Sequence, residues 1–136
     1  MRNLAKFRDR RSTAQSNCCF YCQQPIWSDD PAAFAAKFRI SIKQTAYFRA
    51  TAEHLIARSD GGTNDLCNIV AACLYCNSHR HRARSPLTPE AYQQRVRARL
   101  ERGAWHCLHL ETRPQDRVSS TTRNPRPPHK DGPKGT

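Results

Sequence analysis

The sequence predicts a small α+β domain stapled by a metal ion, and three features of its 136 residues carry that reading. Two Cys-x-x-Cys pairs, Cys19/Cys22 and Cys73/Cys76, have the ligand spacing of a metal knuckle. A double-glycine run, DGGTND from Asp60 to Asp65, separates two short segments of strand character. Thr88, Pro89 and Glu90 followed by Gly103 mark the two ends of a helix.

Taken in chain order, residues 1–17 read as an exposed basic arm, with Arg2, Lys6, Arg8, Arg10 and Arg11. The ordered domain spans 18–110 and opens on the aromatic knuckle Cys19-Phe20-Tyr21-Cys22. Residues 31–52 stay open between two readings. Phe34, Phe38 and Ile42 sit at helical spacing, whereas Ile40, Ile42, Tyr47 and Phe48 suit strands equally well. Thr51 to Ile56 reads as a strand, the Asp60–Asp65 run as the loop that adjacent glycines free, and Asn68 to Ala72 as the hairpin partner. From Cys73 a short helix runs through Arg84 and stops at Pro86. Thr88 then caps a second helix that starts at Pro89 and ends before Gly103. Its Tyr92, Val96 and Leu100 face the domain, and Arg95, Arg97, Arg99 and Arg102 face away. Trp27 and Trp105 read as core residues. The segment 111–136, with five prolines among Ser, Thr and Arg, reads as a disordered basic tail, because it offers too little apolar surface to offset chain entropy.

The two cysteine pairs together supply four thiolates, enough for one tetrahedral structural zinc ion. Its binding energy would supplement a core too small to be secure alone. Cys18 could stand in for Cys19 only by breaking the two-residue spacing. Cys67 and Cys107 lack a matching partner and read as small buried apolar residues. A thioredoxin-like redox role for either pair competes weakly, since neither pair opens a helix after a Rossmann-type strand.

Composition narrows the function. The chain carries 23 Lys+Arg against 11 Asp+Glu, a net charge of +12, with 38% hydrophobic residues. No run approaches the roughly 18 apolar residues of a membrane span, and no signal-peptide pattern opens the chain. A membrane protein, a collagen-like chain and a large α/β enzyme are excluded, and the expectation is a cytoplasmic protein with reduced cysteines. Such a charge favours a polyanionic partner.

Glu53 to Arg82 reads EHLIARSDGGTNDLCNIVAACLYCNSHRHR. An acid–His pair at a strand end, a glycine loop, an Asn before an apolar strand and then Cys-x-x-Cys-Asn opening a helix resemble the HNH endonuclease family over about residues 18–84. The resemblance implies a ββα-metal (His-Me finger) fold, in which a hairpin and a helix hold one divalent cation. It implies His54 as the general base, Glu53 and Asn77 as ligands of the catalytic cation, and Asn68 as the amide that ties down the loop and orients the histidine. His81, one helical turn beyond Asn77, could complete the cation site. Arg80 would then contact the scissile phosphate. His54 alone could equally be a structural histidine, and Asn77 a helix cap.

Imidazole is a base suited to neutral pH, and hard oxygen ligands hold Mg²⁺ or a similar divalent cation that screens the phosphate. Neighbouring side chains of a regular strand point to opposite faces, so the pairing of Glu53 with His54 predicts an irregular strand end or a bulge there. Arg58, Arg80, Arg82 and Arg84 are expected to contact nucleic acid. The expected function is therefore DNA cleavage, with zinc as structural and Mg²⁺ or another divalent ion as catalytic cofactor. A single cleft cuts one strand, which is compatible with a homodimer, and any specificity would come from residues 23–50, the second helix or a partner protein. The rival is a zinc-stabilised nucleic-acid-binding module without catalysis.

Overall fold

The structure is a computed structural model that describes residues 2–106 and 108–110. Cys107 and the expected tail, 111–136, lie outside the described residues. Helix α1 (Arg2–Ala14) leads into the Cys19–Cys22 knuckle, followed by α2 (Pro31–Phe38) and α3 (Ile42–Thr45). Strands β1 (Ala50–His54) and β2 (Ile69–Cys73) then form an antiparallel pair, and α4 (Leu74–Arg80) and α5 (Pro89–Glu101) complete the order. This is the predicted mixed class, helices around one two-stranded sheet.

The open segment 31–52 resolves into helices. Asp30 accepts from the Ala33 amide and Pro31 sits in the first turn, so α2 starts there. Ser41 and Gln44 form a reciprocal capping box that starts α3. A single 3₁₀ turn, Ala46–Phe48, then delivers the chain to β1. Phe34, Phe48 and Leu110 form one apolar cluster, with Trp27 packed against it. The other cluster surrounds the four cysteines and takes in Ile26, Tyr92, Val96 and Trp105, with Leu100 packed on it. Both ends of α5 match the sequence: Thr88 accepts from the Ala91 amide, and Gly103 follows in the left-handed region, φ 69°.

The loop between the strands needs its glycines. Gly61 has φ 92°, and a Cβ on Gly62 would lie 1.7 Å from the Ile56 carbonyl oxygen.

Two expectations change. The basic arm is instead helix α1, docked on the hairpin by polar side chains. Arg11 donates to the carbonyls of Leu66 and Ile69, and the Gln15 amide donates to the Ala71 carbonyl and accepts from its N–H. These contacts satisfy the outer edge of β2, which would otherwise present unpaired backbone groups. The first helix after the hairpin ends at Arg80 rather than Arg84. The Arg80 guanidinium bonds the Leu87 carbonyl, at 3.2 Å through Nε and 2.9 Å through Nη2, and so turns the chain back after His81.

Candidate active site and metal centre

Cys19 and Cys22 lie on the knuckle, Cys73 closes β2, and Cys76 sits in the first turn of α4. All four are buried, and their Sγ atoms lie within 4.8 Å of one another. Ligands about 2.3 Å from a tetrahedral ion stand about 3.8 Å apart, and the Cys22–Cys73 separation is 3.9 Å. N–H groups already point at the sulfurs. The Tyr21 and Cys73 amides donate to Cys19, the Cys76 amide to Cys73 and the Trp105 indole to Cys76, each at 3.3 Å.

Burial raises the Cys19 thiol, but hydrogen bonds from the other three thiols outweigh it and hold Cys19 well below the ordinary value. Its thiol contact with Cys19 holds Cys22 well above that value, and burial does the same for Cys76. Thiols crowded around one thiolate form a site for a cation, and the donor set fits a metal ion. Cys18 is not a member; its sulfur lies 3.5 Å from the Ser16 carbonyl. Cys67, expected to be buried, is exposed, because it lies on the 3₁₀ turn Leu66–Asn68 rather than in a strand.

A second cluster lies along one face of β1. Thr51 and Glu53 are two residues apart on the strand, and Asn77 and His81 are four apart on α4. Those spacings span roughly 6.6 and 6.0 Å, so the two pairs can match side by side. The Asn77 amide donates to the Thr51 hydroxyl at 2.9 Å, and His81 Nε2 lies 2.9 Å from Glu53 Oε1. The other carboxylate oxygen, Oε2, accepts from the Tyr21 hydroxyl at 2.7 Å and from Arg80. Glu53 is only 1% exposed, and this surrounding set of donors is what makes a buried carboxylate tolerable.

One member of this cluster, His81, reaches a cleft. The His81 side chain is 33% exposed and helps line a cleft of about 350 Å³ with Ala57, Ser59, Asp60 and Arg84. Donors that each bind a cation at about 2.1 Å and subtend a right angle stand about 3.0 Å apart. The Glu53–His81 separation is that of a hydrogen bond and also matches this spacing.

His54 behaves differently. β1 and β2 pair one to one through His54–Ile69, so the expected bulge is absent and the strand sends Glu53 and His54 to opposite faces. His54 Nε2 lies 2.8 Å from Asn64 Oδ1, which also accepts from Arg58 at 3.1 Å. Since an arginine only donates, that oxygen is an acceptor, and Nε2 therefore carries the imidazole proton. The lone pair is left on Nδ1. Asn68 closes the intervening loop: its amide accepts from the Ile56 N–H and donates to the Ile56 and Thr63 carbonyls.

With this geometry in view, the comparison with known families is decisive. Residues 38–83 match the family described as HNH endonuclease. Over that segment the chain is similar to an HNH domain. No curated protein and no solved structure matches the chain.

Within that segment, the structure brings Glu53 and His81 together and places Asn77 one turn back on the same helix face. It gives His54 its contact with Asn64 on the loop, and it places Asn68 at the loop base. Arg80 is a correction. Expected to face nucleic acid, it is 5% exposed and committed to Glu53 and to the carbonyls of His54, Leu55 and Leu87. Arg58, Arg82 and Arg84 are exposed. Sequence reasoning passed over Tyr21 and Asn64. Tyr21 sits inside the knuckle, where an aromatic reads as packing; Asn64 sits in a loop, where an asparagine reads as turn chemistry. Among the described residues, no helix is long and apolar enough to cross a membrane.

Proposed function

We propose that this chain is a divalent-cation-dependent endonuclease that hydrolyses DNA phosphodiester bonds, with zinc held structurally by Cys19, Cys22, Cys73 and Cys76. The observation that carries the reading is the meeting of Glu53 and His81 at 2.9 Å, where His81 lines an open cleft and the cysteine cluster ties α4 to the Cys19–Cys22 knuckle. Glu53 and His81, with Asn77 on the adjacent turn, would hold Mg²⁺ or a similar ion. Such an ion supplies charge stabilisation for the phosphate and for the departing 3′ oxygen.

We assign the general base to His54 on the family match and its Asn64 contact, although the regular end of β1 sends its ring to the face opposite Glu53. Asn64 holds its Nε2 proton, so Nδ1 accepts the proton of the attacking water as the water oxygen bonds to phosphorus and the bond to the 3′ oxygen breaks. Asn68 keeps the loop that carries Asn64 in register with the strand end. Arg58, Arg82, Arg84 and the arginine face of α5 provide sequence-independent phosphate contacts, which weaken with salt. A cytoplasmic setting, with DNA as partner, fits the reduced cysteines.

Plasmid nicking with Mg²⁺ or Mn²⁺, with and without chelator, tests this. Wild type should nick, and chelation should stop it. His54→Ala should lower the rate by about 10²–10⁴-fold while DNA binding persists. The second reading, a binding module without catalysis, draws on the enclosure of Glu53 by Tyr21 and Arg80. It prevails if both proteins bind DNA and neither cuts it with any divalent ion.

A further inference from the structure

We infer that Tyr21 is a positioning residue, whose hydroxyl fixes the Glu53 carboxylate so that Oε1 faces a divalent cation beside His81. The inference rests on the reading of Glu53 as a cation ligand. Tyr21 is fully buried between Cys19 and Cys22, and it works in two directions. Its amide donates to Cys19 Sγ at 3.3 Å, and its hydroxyl donates to Glu53 Oε2 at 2.7 Å. One rigid side chain thus spans from the thiolate cluster to the acid. The ring is held edge-on against Tyr92, 4.8 Å between centroids at 85°, and against Phe20 at 5.2 Å. The Arg80 guanidinium carbon lies 5.9 Å from the ring centroid.

The orientation of the carboxylate follows from these donors. A carboxylate offers about four lone-pair sites. Tyr21 and Arg80 occupy Oε2, and His81 takes one site on Oε1. That leaves acceptor capacity on Oε1, the oxygen that meets His81. Without the phenol, only Arg80 of α4 grips Oε2, and the carboxylate plane is no longer set from the knuckle side.

A purely structural role would give any loss of a buried tyrosine hydroxyl the same consequence. Tyr92 supplies the control. It is also buried, its hydroxyl donates to the Cys76 carbonyl at 2.7 Å, and no hydrogen bond joins it to Glu53.

The test titrates the zinc-loaded full chain with Mn²⁺ and follows the free ion by electron paramagnetic resonance. Tyr21→Phe should raise the Mn²⁺ dissociation constant about tenfold, the scale of one hydrogen bond to a charged group. The Mn²⁺ concentration for half-maximal nicking should move with it, and saturating Mn²⁺ should restore most of the rate. Tyr92→Phe should leave Mn²⁺ affinity unchanged. Wild-type affinity in Tyr21→Phe, alongside lost binding in Glu53→Gln, overturns the inference and leaves Glu53 as ligand. Wild-type affinity in Glu53→Gln overturns both. Should Tyr21→Phe fail to retain zinc, carbon NMR of the wild type decides. Addition of Mg²⁺ should shift the Tyr21 Cζ resonance and not that of Tyr92, and an unmoved Tyr21 signal overturns the inference.

Discussion

The cysteine cluster and the Glu53 cluster both gather charge-bearing groups around α4, yet they are built on opposite principles. The cysteine cluster is closed: all four thiols are buried, and N–H donors surround the sulfurs. Four ligands of one kind leave no position for substrate, which is the mark of a structural metal site. The Glu53 cluster also buries its carboxylate but reaches the surface through His81. Tyr21 and Arg80 seal Oε2, while Oε1 meets a histidine that reaches the cleft. The proposed cation and phosphate would need such access to the surface. The difference teaches that the first cluster ties the knuckle to the β2–α4 junction, and that the second forms where β1, paired with β2, meets the end of α4.

The largest effect should come from breaking the closed cluster. Removing the metal with a strong chelator, or replacing Cys76 with Ser, should abolish the cooperative thermal transition. Structural zinc contributes on the order of 10 kcal/mol in small domains of this kind. Circular dichroism with zinc stoichiometry checks this, and re-addition of zinc should restore the fold. A full transition in metal-free protein would show that the apolar cluster alone holds β1 against α4.

How much of this contrast was legible in the sequence follows from the same division. The closed cluster was legible because two-residue spacing between cysteines is a local geometric demand, visible without tertiary information. The hairpin and the caps of α5 were legible for the same reason, through Gly61, Gly62, Thr88 and Pro89. What escaped was tertiary. Arg80 on a basic helix looks like any solvated arginine until Glu53 and three carbonyls surround it. Helix α1 carries no apolar stripe to announce docking, since Arg11 and Gln15 attach it through backbone groups of β2. The bulge expected at Glu53 and His54 assumed both side chains on one face; the pairing stays regular, and His54 meets Asn64 of the loop instead.

Breaking the sealed half of the second cluster should cost less than losing the metal. Arg80→Met strands the Glu53 carboxylate at 1% exposure with only Tyr21 and His81 as partners. Removing one partner of a buried pair costs about 3–5 kcal/mol. Urea denaturation of the zinc-loaded protein measures it, and adding Glu53→Gln should recover part of the loss, since no buried charge then remains unpaired. If the double variant is no more stable than Arg80→Met alone, Arg80 stabilises through its carbonyl contacts and not through Glu53.

Asn68→Ala sharpens the comparison at the loop that carries Asn64 towards His54. Three hydrogen bonds from one amide, at about 1 kcal/mol each, set an expected loss of about 2–3 kcal/mol. Amide hydrogen exchange should show the Ile56 N–H losing its protection while the Cys73 and Cys76 amides keep theirs. Equal loss at all three would mean that the loop and the cysteine cluster unfold as one unit.

The smallest effect belongs to His106, which borders the closed cluster. Its ring stacks between Phe48 and Tyr75, at 4.6 and 4.3 Å, with Nε2 3.5 Å from Cys73 Sγ. Its Nδ1 is buried without a partner among the described residues. Burial pushes the imidazole down to about 4, with the Cys19 thiolate opposing that shift and His79 and His109 adding to it. The unfolded chain, titrating near 6.5, takes up the proton first as pH falls. Stability attributable to this residue is therefore full above about pH 6.5 and declines towards pH 4. His106→Phe keeps the stack and removes the titration. Between pH 7 and 5.5, wild type should lose roughly 1 kcal/mol more than the variant in urea denaturation of the zinc-loaded protein. Parallel losses would place the pH sensitivity in the thiolates themselves, and the border of the closed cluster would carry none of it.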